Sequence, residues 1–361
     1  MSVQAAVRAQ ESVTPGLMVV PGVVGTGVGL GPNGEPVVKV LVSFENAAAL
    51  PSEINGVRVE ALVTGEFFAL QEARTRQDAQ VEPRAKPTCG KKNLPPCPPQ
   101  APGLDERHPR PVPIGVSTGH PAITAGTIGA RVKRGSNVFA LSNNHVYADE
   151  NTASIPDDVI QPGSFDGGSS PADDIGALDD FELIDFRSCA QGGANVIDAA
   201  IAATTIAEVG NSTPDGVGYG TPKSQTAAAA VNMNVQKVGR TTGFTKGTVQ
   251  AINATVNVGY STGTACFVQQ IIVTPGTFSA GGDSGSLVVV DGASESSQSQ
   301  PTARGKPTCG KKNLPPCDPP PPPSGDDRKP VGLLYAGSSS QTILNPIEAV
   351  LTRFGVTIDG D

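Results

Sequence analysis

Tryptophan is absent from this 361-residue chain, which has only four tyrosines, three methionines and three histidines. The histidines are His108, His120 and His145, so few positions can supply an imidazole base or metal ligand. An excess of positive charge is also missing. The 26 basic residues are outnumbered by 34 acidic ones, for a net charge of −8. This balance argues against nucleic acid or an anionic membrane as the main partner. No apolar run reaches transmembrane length, and the stretch from Leu17 to Leu30 is cut by Pro21 and several glycines. The first residues, Met1-Ser2-Val3-Gln4-Ala5-Ala6-Val7-Arg8, lack a charged segment followed by an apolar one. The expectation is therefore a cytoplasmic protein, or a secreted one whose leader has been removed.

Glycine and proline are plentiful, at 43 and 33 residues. With few long helical patterns, this predicts a loop-rich, mainly β protein. The length suits one large domain and a small one.

The chain is organised around Ser279-Ala280-Gly281-Gly282-Asp283-Ser284-Gly285-Ser286. Glycines allow a tight turn that lifts the Ser284 hydroxyl clear and aims backbone N–H groups at one point. Acyl transfer needs that pairing of an exposed nucleophile with donors for an oxyanion. The following Leu287-Val288-Val289-Val290 reads as a buried strand that holds the turn. Upstream, Phe139-Ala140-Leu141-Ser142-Asn143-Asn144-His145-Val146 is an apolar run ending in a histidine, and Val196-Ile197-Asp198-Ala199-Ala200-Ile201-Ala202 sets an aspartate in an apolar stretch.

The order His145, Asp198, Ser284, in the strings SNNHV, VIDAAIA and GGDSGS, resembles a chymotrypsin-fold (trypsin-like) serine peptidase. The strings KVGRTTGFTKGTV and GGDSGSLVV are similar to its bacterial branch, and the N-terminal region resembles leaders of bacterial Nal1-like peptidases. The resemblance covers about 113–361. It implies two six-stranded antiparallel β-barrels and a C-terminal helix, preceded here by a small α+β domain. It also implies that His145 takes the serine proton, that Asp198 orients His145, and that the N–H groups of Gly282 and Ser284 form the oxyanion hole. The primary pocket would involve Phe278, Tyr335 and Gly337. Phe278 stands where trypsin carries an aspartate, which disfavours basic side chains and suits a modest apolar or small one. Many relatives are activated when a new N-terminus pairs with the acid beside the serine, here Asp283, but no Ile-Val-Gly-Gly start lies near residue 113.

Residues 1–80 read as the α+β unit: a helix from Gln4 to Glu11, strands at Val23–Leu30, Val37–Val42 and Val57–Val63, and a short helix from Phe44 to Leu50. This unit is a propeptide, inhibitor or folding aid, or else a packed accessory domain. Residues 81–112 form a Pro/Lys-rich linker. It contains Lys86-Pro87-Thr88-Cys89-Gly90-Lys91-Lys92-Asn93-Leu94-Pro95-Pro96-Cys97, repeated identically from Lys306 to Cys317 within an inserted loop at 291–329. The repeats admit a disulfide loop in each copy, pairing between copies, a recognition tag or a plain spacer. Zinc fits less well, because the Cys spacing is wide and no His lies in either copy.

From Asp149 to Asp185 the chain is rich in acid and lacks Lys and Arg. A solvated acidic loop is expected there, with calcium the less favoured reading and no cofactor otherwise. Cys189 has no partner nearby in sequence. Strands are expected at Thr127–Val132, Asn137–Ser142, Val235–Val238, Thr248–Val258, Phe267–Val273 and Pro330–Gly337. Asn345 reads as the N-cap of a terminal helix, with Pro346 at its first position and Glu348 completing a capping box. Two functions follow: an endopeptidase acting on a polypeptide, with self-processing as one of its activities, or an inert peptidase-like binding module.

Overall fold

The structure, a computed structural model, describes residues 2–45, 50–70, 101–292 and 325–361. Both cysteine repeats, the inserted loop from 293 to 324 and most of the linker lie outside the described residues, as do 46–49 of the expected Phe44–Leu50 helix. Phe44 and Glu45, which precede that gap, are not helical.

The fold is mainly β, as expected. One sheet has six antiparallel strands, in the order Asp158–Ile160, Asp174–Phe181, Ala200–Thr204, Asn137–Ser142, Ala130–Arg134 and Thr357–Ile358. A second set of six strands closes on itself. Asn234–Gly239 pairs with Leu287–Val290, which pairs with Pro330–Gly337. Thr342–Pro346, Thr264–Thr274 and Gly243–Gly259 follow, and the last returns to Asn234–Gly239. Closure removes the sheet edges that would otherwise leave N–H and C=O groups unpaired.

The N-terminal unit is joined to that barrel by hydrogen bonds. Val23–Leu30 pairs antiparallel with Gly243–Gly259, and Pro36–Val42 and then Val57–Val63 continue the sheet outward. The long strand serves both neighbours because it bends. Its register shifts between Ala251 and Ala254, where Asn253 adopts a φ of 51°. Such a bulge re-aims a strand without ending it. The helix Val3–Leu17, longer than the Gln4–Glu11 read from sequence, starts at a Ser2 cap and buries Ala6 and Ala9 against the same strands.

Two sequence expectations fail for physical reasons. The acidic stretch is not a plain solvated loop: it supplies Asp158–Ile160 and Asp174–Phe181 to the first sheet. Its acids find cations from elsewhere in the chain. Asp166 pairs with Arg240, Asp173 with Arg107, and Asp180 and Glu182 with Arg353. The second failure is Asn345, which does not cap the C-terminal helix. That helix runs Ile347–Phe354 with Pro346 as its cap residue and no side-chain cap bond. Asn345 lies in the strand Thr342–Pro346, and its amide is used elsewhere. Glu348 instead accepts a bond from Thr226.

Candidate active site

His145 sits one turn after the strand Asn137–Ser142, in a four-residue helix, Asn144–Tyr147. Asp198 lies two residues before the strand Ala200–Thr204, which pairs with Asn137–Ser142. Adjacent strands thus carry the two residues to one place. His145 Nδ1 is 2.5 Å from Asp198 Oδ2, and both side chains are almost wholly buried. The other carboxylate oxygen, Oδ1, accepts the His145 backbone N–H at 3.3 Å. A third donor, the Tyr260 hydroxyl, reaches Oδ2 at 2.8 Å. Burial and the Asp198 charge together raise the Tyr260 pKa well above its ordinary 10.0, so the hydroxyl stays a donor.

The peptide of Asp198 is fixed as firmly as its side chain. Its N–H donates to Asn345 Oδ1 at 3.1 Å. Its carbonyl accepts from Asn345 Nδ2 at 3.0 Å and from Asn143 Nδ2 at 2.7 Å. This is where the Asn345 amide goes, and it explains the first Asn of the SNNH string. Tyr260 is held through the next turn. Glu150, only 4% exposed, accepts bonds from the N–H and hydroxyl groups of both Ser261 and Thr262. Burial pushes the Glu150 carboxyl up, but the Thr262 and Ser261 donors outweigh it and hold the group below its ordinary 4.5. Asn144 donates to Asn151 and to the Glu182 carbonyl, tying the same region together.

The serine loop is built differently. Gly282 and Gly285 have φ of 89° and 94°, the left-handed region. A Cβ on Gly285 would also lie 2.1 Å from Ser142 Oγ and 2.2 Å from the Thr127 carbonyl, so only glycine fits. The first half of the chain grips this loop. Thr127 N–H donates to the Ser284 carbonyl at 2.7 Å, and its hydroxyl donates to the Gly282 carbonyl at 2.9 Å. Asp283 turns inward. It accepts from the N–H groups of Thr241, Thr242 and Ala280 and from the Thr242 hydroxyl, and it pairs with buried Lys237 at 3.3 Å. Burial lowers the Lys237 pKa, and the Asp283 charge pulls the other way. A new N-terminus is therefore not needed to neutralise Asp283.

Ser284, also fully buried, makes no hydrogen bond to His145. Its hydroxyl reaches two carbonyls, Tyr335 and Leu70, each at 3.1 Å. His145 Nε2 is buried and has no hydrogen-bond partner among the described residues. Leu70 directly follows the short strand Phe67–Ala69, which pairs antiparallel with Pro330–Gly337. Its carbonyl also accepts the Gly282 N–H at 2.9 Å, and its own N–H donates to the Tyr335 carbonyl at 3.1 Å.

Of the expected pocket residues, Gly337 faces Leu70: a Cβ there would lie 3.4 Å from Leu70 Cδ1. Phe278 belongs to the buried cluster against which Leu70 packs, with Lys237 Nζ 5.7 Å from its ring centroid. Tyr335 contributes only its carbonyl. Its side chain turns into the barrel and packs against Phe267, with ring centroids 4.8 Å apart. Cys189, with no near partner in sequence, bonds to Cys266 across 77 residues. Among the described residues no group of three or more His, Cys, Asp or Glu is placed to hold a metal ion.

Tyr260, Lys237, Glu150, Asn345 and Leu70 were not found from sequence as parts of this site. Lys237 had a signal, a lone cation in the apolar strand Val235–Val238. Tyr260 and Leu70 had none, because only folding brings them near the motifs.

In comparisons with known proteins, the family model described as the Nal1 C-terminal domain matches residues 206–307, fewer than a third of the chain. That span contains Ser284 but neither His145 nor Asp198. No curated protein matches. Among solved structures, similarity is found to a glutamic acid-specific serine protease at 19% identity and TM-score 0.43, covering 68% of this chain and 100% of that one. Thermobifida fusca protease A is similar at 16% identity and TM-score 0.40, covering 69% of this chain and 100% of its own. Cellulomonas bogoriensis chymotrypsin is similar at 15% identity and TM-score 0.39, covering 69% and 99%.

Proposed function

We propose that the chain is a serine endopeptidase that hydrolyses peptide bonds in a polypeptide substrate through Ser284, His145 and Asp198. The observation that carries this reading is the buried His145 Nδ1···Asp198 Oδ2 contact of 2.5 Å, which leaves Nε2 with no partner. A buried polar atom left unpaired is costly unless it has work to do. With Nδ1–H committed to the carboxylate, Nε2 is the lone-pair nitrogen of the neutral ring, as a general base requires.

The reaction follows from these groups. Rotation about the Cα–Cβ bond of Ser284 turns its hydroxyl from the two carbonyls toward Nε2. His145 takes the proton while Oγ attacks the substrate carbonyl carbon. Asp198, anchored through its side chain and its peptide, stabilises the imidazolium. The Gly282 N–H, joined by that of Ser284, receives the negative charge that develops on the carbonyl oxygen. His145 then protonates the leaving amine, and water hydrolyses the acyl-enzyme by the same steps. The Cys189–Cys266 bond suits an oxidising compartment, which favours an exported form of the protein over the cytoplasmic one.

A second reading, an inert binding module, draws on the Ser284 hydroxyl being bonded to carbonyls rather than to His145. Treatment with a fluorophosphonate separates the two. The endopeptidase incorporates one label once the Leu70 carbonyl leaves the Ser284 hydroxyl, and Ser284→Ala incorporates none; no label in either the wild type or a Leu70→Lys variant would leave the binding module standing.

A further inference from the structure

The segment Phe67-Phe68-Ala69-Leu70 comes from outside the candidate peptidase domain, yet it makes the contacts expected of a substrate. It adds a strand to Pro330–Gly337, pairing Ala69 with Ala336 and Phe68 with Gly337. An extended peptide bound to a sheet edge uses main-chain bonds for affinity and side-chain pockets for selectivity. Here the main-chain bonds lead to the serine. Leu70 N–H is fixed by the Tyr335 carbonyl, and its C=O accepts from both Gly282 N–H and Ser284 Oγ. Among the described residues, no other carbonyl accepts from both groups. The Leu70 side chain enters the space beside Gly337 and packs against the cluster containing Phe278. Phe67 is 2% exposed and anchors the strand in the barrel core, whereas Phe68 points outward at 54% exposure.

We infer that Phe67–Leu70 is a tethered substrate, that Ser284 cuts the peptide bond following Leu70, and that the enzyme selects leucine or an uncharged apolar side chain of similar size at that position. This rests on the endopeptidase reading and gives it a substrate class. The step balances as a hydrolysis. Ser284 Oγ bonds to the Leu70 carbonyl carbon as its proton passes to His145 Nε2. The C–N bond to Gln71 breaks, and the new amine takes that proton. Water then attacks the acyl carbon as one of its protons passes to His145. The bond to Ser284 Oγ breaks, His145 returns that proton to Oγ, and the Leu70 acid released loses the other proton to solvent. The pocket chemistry supports the selectivity. Its wall is apolar, and the Lys237 ammonium on the face of the Phe278 ring is paired with Asp283. An apolar wall offers the charge of Lys or Arg no compensation, and the acid beyond it is taken up by Lys237. The cleft is filled until the segment leaves, so cutting alone does not open it. The strand pairing of Val23–Leu30 with Gly243–Gly259 keeps the N-terminal unit attached.

The test is intact-mass analysis of the full chain over time, beside Ser284→Ala, Leu70→Met and Leu70→Lys. A fragment ending at Leu70 and one starting at Gln71 are expected. Their rate should not change across a tenfold range of protein concentration, as befits a tethered substrate. Leu70→Met should cleave within about 3-fold of wild type. Leu70→Lys should slow cleavage on the order of 100-fold or more, because a charge entering an apolar site is costly. Leu70→Lys should also label faster with fluorophosphonate, since it releases the cleft. Labelling with no new end at Leu70, or cleavage whose rate rises with concentration, overturns this inference and leaves the endopeptidase standing. Failure of both wild type and Leu70→Lys to label overturns both.

Discussion

The two halves of the candidate site are prepared to different degrees. Every polar atom of Asp198 itself has a partner: His145 and Tyr260 on the carboxylate, Asn345 and Asn143 on the peptide. Around Ser284 the loop is equally rigid, but the hydroxyl itself is held by carbonyls, one from Leu70. The proposed base is assembled, whereas the proposed nucleophile is bound to a piece of its own chain. Rigidity and readiness are therefore separate properties here. The first comes from hydrogen bonds within the two sheets, and the second depends on what occupies the cleft.

Three changes would break or sharpen this contrast. The largest effect is expected at Asp198→Asn. An amide cannot hold the same His145 tautomer, so the rate should fall about ten-thousand-fold while the fold survives. Peptide hydrolysis and fluorophosphonate labelling measure it, and an unchanged rate would mean that the prepared half has no role in the chemistry. Next comes Lys237→Met, aimed at the serine loop. Removing one partner of a buried pair leaves Asp283 as an uncompensated charge, which costs about 3–5 kcal/mol. Denaturant unfolding should reveal that loss, with labelling reduced as the loop loosens. If stability were retained, the bonds from Thr241, Thr242 and Ala280 alone would suffice for Asp283.

The smallest effect concerns pH and the Tyr260 support. The Glu150 carboxyl has a folded pKa below its ordinary value, so the folded state favours its charged form. Its contribution is complete above the ordinary 4.5 and is lost as the pH falls through the lower, folded value. Glu150→Gln lacks this dependence. Thermal unfolding of the two proteins should therefore differ above the ordinary 4.5 and draw together as the pH falls below it. Parallel curves would remove Glu150 from the account.

Much of this was legible in the sequence because it was local. The β-rich class, the glycines at 282 and 285, and strands such as Asn137–Ser142 and Leu287–Val290 follow from short-range pattern and turn chemistry. The misreadings came from residues that local rules assign to a nearby job. Asn345 has the chemistry of a cap but bonds to a peptide 147 residues away. The acidic stretch looked solvated because its Arg partners, such as Arg240 and Arg353, lie far along the chain. Cys189 seemed solitary because Cys266, 77 residues on, becomes its partner only when the turn Cys189–Gln191 comes against the strand Thr264–Thr274.

The sequence by itself determined which groups were available: one imidazole in an apolar run, one aspartate set to be buried, and one serine between glycines. Those are matters of residue type and spacing. Only the tertiary structure decided that His145 and Asp198 meet, that Lys237 pairs with Asp283, and that the Leu70 carbonyl lies against the Ser284 hydroxyl. Each of these depends on strands distant in the chain coming into register, and hydrogen-bond geometry acts over about 3 Å, regardless of how far apart the partners lie in sequence.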